Sequence, residues 1–263
     1  MNKDNKKRFS AIIVAAGTGK RMNSTVKKQY MELSSHPVLV FTLRAFEESG
    51  VDETVIITGR DEIDYVKTEI VERNGFKKVV AVLPGGKERC DSVYEGVKYV
   101  HGACAPGTDA YVLIHDGVRP LVTPKMIDTC IKSVIECGAC VPGVPEKDTV
   151  KEINENNEIV RTLDRKKIYR IQTPQCFELG LIFSAFESFY KEGINAENGS
   201  QTGIMQEQRE TASSAVTDDA MLVEKYTGHK VKIIDGDYKN IKITTPEDME
   251  MAEFYLFGRK GKD

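Results

Sequence analysis

The sequence predicts an α/β protein with a mostly parallel sheet flanked by helices. Two observations carry that expectation. Short, unbroken apolar runs recur through the first half of the chain, and amphipathic stretches separate them. A strand buried on both faces reads as a continuous apolar run, and strands joined by helices require right-handed crossovers, which make the sheet parallel. A chain of 263 residues is long enough to bury one large core.

Taken in order, Ala11 to Ala15 is the first such run and predicts a buried strand. Pro37 fits the first turn of a helix reaching about Ser49, with Val40, Phe41 and Leu43 to Phe46 as its apolar surface. Glu53 to Thr58 predicts the second strand, and Ile63, Val66, Ile70 and Val71 mark the helix after it. Lys78 to Leu83 predicts the third strand, ended by Pro84-Gly85-Gly86. Val93, Gly96, Val97 and Val100 fall at i, i+3, i+4 and i+7 of a helix. Tyr111 to Ile114 predicts the fourth strand. Thr123-Pro124 then supplies an N-cap and first helical residue, with Met126, Ile127, Cys130, Ile131, Val134 and Ile135 on one face.

From Glu146 to Tyr169 the pattern changes. Asp148 to Ile153 and Glu158 to Thr162 alternate β-branched and charged residues around a polar tip at 154–157, which predicts a protruding two-stranded hairpin. Such a hairpin is marginal alone, so it is expected to lie against something else, a second subunit included. Residues from Lys191 to Val216 are polar and Gly-containing and read as a mobile insertion, set at about 194–216. A helix from Asp218, a strand at Val231 to Ile234, a short strand around Lys242 and a helix capped by Thr245-Pro-Glu-Asp248 complete the chain. The organisation expected is one domain over 9–257, with the arm at about 146–169 and flexible termini at 1–8 and 258–263.

The net charge of −3 gives no global attraction to nucleic acid, so an anionic ligand has to be held by local cations. The opening decapeptide is polar, the apolar run after it is too short for a secretory h-region, and no stretch has the length of a membrane span. A cytoplasmic location follows as the expectation, and six cysteines without a secretory signal fit a reduced compartment. Cys137 and Cys140 match C-x-x-C, but no second pair stands at zinc spacing, which leaves two small residues entering a strand.

Ala15-Ala16-Gly17-Thr18-Gly19-Lys20-Arg21-Met22 directly follows the first strand. Glycines let a backbone turn tightly and bring its N–H groups against phosphate oxygens. The loop is neither a P-loop, which needs Gly at Val14 and Ser or Thr at Arg21, nor a dinucleotide fingerprint, which needs Gly at Met22. Arg21 and the Lys27-Lys28 pair add the cations that a phosphate site uses. His115-Asp116-Gly-Val-Arg119-Pro120 follows the fourth strand at the expected carboxyl edge of the sheet, where open α/β folds bind ligands. Asp116 is a candidate for magnesium or substrate and Arg119 for phosphate, against a bland reading as a strand-capping turn. Gly85-Gly86 and Ser92 similarly offer either close approach to a base or a simple loop and cap. Lys242, alternating with Ile241 and Ile243, reads by itself as a solvated lysine. No nucleophile elbow or metalloprotease histidine pair occurs. Nucleotidyl transfer needs neither, because a phosphate nucleophile is already anionic and its obstacle is repulsion, which fixed cations and Mg²⁺ relieve.

The blocks AAGTGKRM, KKQY, GGKERCDSV, HDGVRP, KDTVKE, LDRKKIYRIQTPQ, VTDDAMLVE and NIKITTPED, in this order from Ile12 to Leu256, resemble the 2-C-methyl-D-erythritol 4-phosphate (MEP) cytidylyltransferase family. The resemblance implies a Rossmann-like, glycosyltransferase-A-type nucleotidyltransferase fold, CTP as co-substrate, Mg²⁺ as cofactor and a homodimer joined by exchanged hairpin arms. It implies that Arg21 and Lys28 stabilise the transition state, and that Arg165 and Lys242 position the polyol phosphate, Arg165 reaching the other subunit's site. It puts Ala15, Ala16, Gly17, Thr18, Gly19, Gly86 and Ser92 around the nucleotide, and Asp116, Arg119, Thr149 and Thr217 on the second substrate. The chain departs from the pattern at Lys27, where Pro is usual, at Lys87, where an acid is common, and at Tyr169, where Trp is frequent. The alternatives are the sister enzyme acting on ribitol 5-phosphate and a non-catalytic nucleotide-binding module, with a nicotinamide dehydrogenase disfavoured by Met22.

Overall fold

The computed structural model describes residues 7–17, 26–195 and 216–258. Its centre is an eight-stranded sheet formed by β1 (Arg8–Val14), β2 (Glu53–Thr58), β3 (Val79–Pro84), β4 (Ala110–Asp116), β5 (Ala139–Pro145), β8 (Tyr169–Ile171), β9 (Gln175–Glu178) and β10 (Lys232–Asp235). The spatial order is β8-β5-β9-β4-β1-β2-β3, with β10 also paired to β5. β1 is parallel to β2 and β4, β2 to β3, and β10 to β5, whereas β9 and β8 run antiparallel to their neighbours. The mostly parallel α/β class expected from the sequence is what the chain adopts.

The apolar runs form central strands because both of their faces are covered. Ala11 and Ile13 of β1 face one core with Tyr111 and Leu113 of β4, while Ile12 faces the other with Val112 and Ile114. The first core is closed by α1 (Val38–Glu47) and α3 (Pro124–Cys137). The second is closed by α2 (Arg89–Ala103), α4 (Leu179–Asn195) and α5 (Asp219–Thr227). α6 (Pro246–Phe257) packs Ala252 into a small third cluster with Leu33, Val38 and Ile243. α2 lies close to the sheet because Gly96 has no side chain: a Cβ there would stand 2.6 Å from Ile12 Cγ2.

The caps read from the sequence are present. Thr123 accepts a hydrogen bond from Met126 N with Pro124 at the first turn, and Thr245 and Asp248 form a capping box ahead of α6. Pro37 is the N-cap of α1 rather than its first residue. The segment after β2 is α-helical at Ile63–Tyr65 and then π-helical at Val66–Glu72, a winding that buries Val66 and Ile70 together.

Two expectations need correction. Lys191 to Asn195 are not part of a loop: α4 continues to Asn195, its apolar face being anchored earlier by Ile182, Phe186 and Phe189. Residues 240–245 form no strand, because their backbone bonds go elsewhere, Ile243 N to Val118 O and Asn240 N to Asp237 O. The rest of the expected insertion, 196–215, and the tails at 1–6 and 259–263 lie outside the described residues.

The hairpin consists of β6 (Lys151–Ile153) and β7 (Ile159–Thr162), which among the described residues pair only with each other. Every residue of both strands is exposed. No helix among the described residues is long and apolar enough to cross a membrane.

Candidate active site

The parallel strands end together, and the site is built on that edge. Val14 lies beside Asp116 and Ile57, and Thr58 beside Pro84, so the segments following β1, β3 and β4 emerge side by side. A cavity of about 290 Å³ opens there. Its walls include Ala15, Ala16 and Gly17 from the first loop, Gly86, Arg89 and Ser92 from the third, Asp116 from β4, and Lys28 and Lys242 from elsewhere in the chain. Lys28 and Lys242, far apart in sequence, thus border one space. Arg21, Thr18 and Gly19 lie outside the described residues.

The first loop is held from behind. Gln29, which is buried, donates to Ala15 O at 2.6 Å and Gly17 O at 3.1 Å, tying the loop to a 3-10 turn at Lys28–Tyr30. A side chain at Gly17 would meet nothing within 4 Å among the described residues. Lys27 turns away: its ammonium pairs with Glu62 at 2.6 Å.

The opposite wall is tighter. A Cβ on Gly85 would stand 2.5 Å from Ala16 Cβ, and one on Gly86 would collide with Asp91. Ser92 Oγ accepts from Gly86 N at 3.1 Å and donates to Glu88 O at 3.0 Å, so its hydroxyl shapes the loop as well as facing the cavity.

Asp116 is the electrostatic centre. It is buried, with Lys242 Nζ 2.9 Å from Oδ2, Arg89 Nε 3.3 Å from Oδ1 and Arg119 Nε 3.5 Å from Oδ2. Burial by itself would raise its pKa, but the charges of Arg89, Lys242 and Arg119 outweigh that and hold the carboxyl well below the usual carboxylate range. Arg119 also donates to Asn240 O at 2.8 Å, and Asn240 donates to Thr173 O at 3.0 Å. These bonds lay the 240–244 segment across the sheet edge and bring Lys242 to Asp116. Arg119 and Lys242 also border a second cavity, of about 190 Å³, which is lined by Thr217 and Gln175 as well.

His115, beside Asp116, is fully buried, shares a 2.9 Å hydrogen bond with Thr173 Oγ1 and leaves Nε2 without a hydrogen-bond partner. Burial lowers its pKa to about 3, so it is a neutral structural imidazole at ordinary pH.

Arg89 was not singled out from sequence. Its guanidinium grips Asp219, at the start of α5, with two bonds of 3.0 and 2.9 Å while also touching Asp116. A signal existed: an arginine in the first turn of a helix opposes the helix dipole, and such local conflicts concentrate at sites with a job. Thr149 and Arg165, by contrast, lie away from these cavities on the stem of the hairpin, both exposed, with Arg165 donating to Lys147 O at 3.1 Å.

For a divalent cation the protein offers little. Asp116 and Glu88 are the carboxylates among the described residues lining the 290 Å³ cavity, and no cluster of three or more His, Cys, Asp or Glu suited to a metal occurs among the described residues. Mg²⁺ commonly takes one or two carboxylates and completes its shell with phosphate oxygens and water, so the donor set fits an ion carried mainly by a nucleotide.

The family model for 2-C-methyl-D-erythritol 4-phosphate cytidylyltransferase matches residues 9–204 and 200–258. The chain belongs to this family. A curated member from Alkaliphilus oremlandii is 42% identical over 258 residues, covering 98% of both chains. Another, from Lachnoclostridium phytofermentans, is 43% identical over 249 residues, covering 95% of this chain and 96% of its own. Among solved structures, 4-diphosphocytidyl-2C-methyl-D-erythritol synthase from Anaerococcus prevotii superposes with a TM-score of 0.74 at 33% identity. That match covers 95% of this chain and 96% of the other. Lys28, Gly86, Ser92, Asp116 and Lys242, positions expected from the resemblance, are among the residues that border the 290 Å³ cavity.

Proposed function

We propose that this protein joins CTP and MEP to give 4-diphosphocytidyl-2-C-methyl-D-erythritol and pyrophosphate. The convergence of Lys28 and Lys242 on one cavity, between a glycine loop and a tight Gly-Gly wall, carries this reading. An oxygen of the MEP phosphate attacks the α-phosphorus of CTP in line. The new P–O bond forms as the bond to the β-phosphate oxygen breaks, and pyrophosphate leaves. No base is needed, since the nucleophile is an anion. The protein's part is to hold two repelling phosphates together and to meet the charge that spreads over the α-phosphate.

Ala15, Ala16, Gly17, Thr18 and Gly19 cradle the triphosphate, and Gly86 with Ser92 bounds the cytosine. Arg21 and Lys28 stabilise the transition state. Lys242, oriented by Asp116, positions the MEP phosphate, with Asp116, Arg119 and Thr217 around the polyol. Arg165 and Thr149 act from the arm of a second subunit, which the distance of both residues from their own cavities supports. Mg²⁺ would be held mainly by phosphate oxygens of the nucleotide with Asp116 as a protein carboxylate, and would supply further charge neutralisation. The reaction belongs in the cytoplasm.

The decisive assay incubates the protein with CTP and either MEP or ribitol 5-phosphate and follows pyrophosphate. MEP should be the faster substrate; faster turnover of ribitol 5-phosphate would reassign the protein to the sister activity. CTP binding without pyrophosphate from either alcohol would leave a binding module. Lys28→Ala should lower kcat by about 100- to 1000-fold, the loss typical for one transition-state donor.

A further inference from the structure

Glu62 lies outside the cavity, yet it gathers the groups that hold Lys28 in place. It sits at the end of the Gly59–Glu62 turn that follows β2, and its side chain is only 17% exposed. Its Oε1 pairs with Lys27 Nζ at 2.6 Å. Its Oε2 accepts from Gly59 N at 3.1 Å, and lies 3.2 Å from both Tyr30 Oη and Thr58 Oγ1. Those two hydroxyls are 2.6 Å apart. One proton serves the bond between them, and the other is donated to Glu62. A single carboxylate therefore ties down the residue before Lys28 directly and the residue two after it either directly or through the Thr58 hydroxyl. Both are fastened to the end of a central strand.

Between these two ties stands Gln29, already bonded to the carbonyls of Ala15 and Gly17. Lys28 and Gln29 are the residues of the stretch 27–30 that line the cavity, and with the Gln29 amide committed to the loop carbonyls, Lys28 is the cation the stretch brings there while Lys27, Gln29 and Tyr30 hold it from behind. The backbone at Lys27 has φ −65° and ψ 140°, an extended conformation that proline would fix covalently. Lysine does not fix it. An ammonium held by a largely shielded carboxylate can do so instead.

We propose that Glu62 is a positioning residue for the transfer reaction: through its ion pair with Lys27 it fixes the backbone that aims Lys28 at the transferring phosphates. The inference rests on the reading of Lys28 as a transition-state contact. An ammonium on a long flexible stem meets a phosphate in the right place only if its base is fixed, and a misplacement of about 1 Å can cost on the order of 100-fold in rate. Such a contact, made fully only in the transition state, should show in kcat rather than in KM.

The test uses Glu62→Gln, which keeps the size of the side chain and removes its charge, and adds Lys27→Pro in that background. Glu62→Gln should lower kcat by about 10- to 100-fold with the KM for CTP little changed. Lys27→Pro should then recover most of the lost kcat, because the ring holds φ where the ion pair held it. A merely stabilising Glu62 would not be rescued in kcat by a substitution at its neighbour's backbone. Lys28→Ala is measured alongside. If Lys28→Ala is inactive while Glu62→Gln stays within about twofold of the parent, the positioning role is wrong and the role of Lys28 stands. If Glu62→Gln is slow and proline recovers nothing, the ion pair does not act through this backbone. If Lys28→Ala keeps full activity, the reading of Lys28 falls and the inference with it.

Discussion

The surroundings of Asp116 and the hairpin arm solve opposite problems. Around Asp116 the chain answers its own charges: one buried carboxylate faces Arg89, Arg119 and Lys242, and each cation has a further task or partner close by. Along β6 and β7 it does not cover its own apolar surface. Ile153, Ile159 and Val160 are 54%, 65% and 58% exposed, and the only pairing is strand to strand, with Glu152 and Arg161 joined by a 2.6 Å ion pair. A hairpin of this size gains too little by itself to justify such exposure. The contrast teaches where each part is complete. The charge centre draws its ion-pair partners from one chain, whereas the arm leaves apolar surface exposed that the proposed arm exchange would cover.

The largest effect should come from breaking the complete region. Asp116→Ala removes the shared partner of three cations, Arg89, Arg119 and Lys242, all of which also border the second cavity. Leaving buried charge without its counterion costs about 3–5 kcal/mol. Urea unfolding should register that loss, and kcat should fall with it, because Lys242 is no longer aimed. Unfolding unchanged from the parent would mean that the cations find water or other partners, and that the centre is less closed than its distances imply.

The arm should behave in the reverse way, with little effect on the stability of its own chain and a large one on the neighbouring site. Subunits carrying Lys28→Ala and Arg165→Ala are each expected to be poorly active. In a mixed dimer, one site combines an intact Lys28 with the other subunit's intact Arg165, so mixing should restore activity. Verified hybrids that regain nothing would put Arg165 back in its own subunit and remove the functional half of the contrast.

These two regions were also unequally legible in the sequence. The sheet could be read because burial on both faces forces continuous apolar runs, and β2 begins and ends where Glu53 to Thr58 was expected. The arm could be read because alternation survives without tertiary contacts. The charge centre could not be assembled that way. Asp116, Arg119, Lys242, Arg89 and Asp219 come from four distant segments, and only the sheet's strand order makes them neighbours. Lys242 shows the limit most clearly. Alternation with two isoleucines suggested a strand with a solvated lysine, but the segment is an irregular crossing held by Arg119, and its ammonium sits on Asp116. The resemblance to a known family, not the local pattern, singled it out.

The smallest expected effect concerns acid. In the unfolded chain His115 takes up a proton near its ordinary value of about 6.5, whereas burial holds the native imidazole neutral down to about 3. Between those values the unfolded state binds more protons, so stability present above about 6.5 is lost progressively as the pH falls. Asp116, held below its ordinary value by the three cations, adds a second loss that begins only below about 3.9. Both groups belong to the charge centre, and the arm contains no histidine. His115→Gln, which keeps a hydrogen-bonding partner for Thr173, should therefore flatten the fall in unfolding free energy between pH 6.5 and pH 5, an interval set by the ordinary histidine value of about 6.5. Deleting the arm tip at 154–157 should leave that slope as it was. If the slope survives His115→Gln and vanishes with the tip, acid acts on the association of arms and not on the charge centre, and the division between the two regions is drawn in the wrong place.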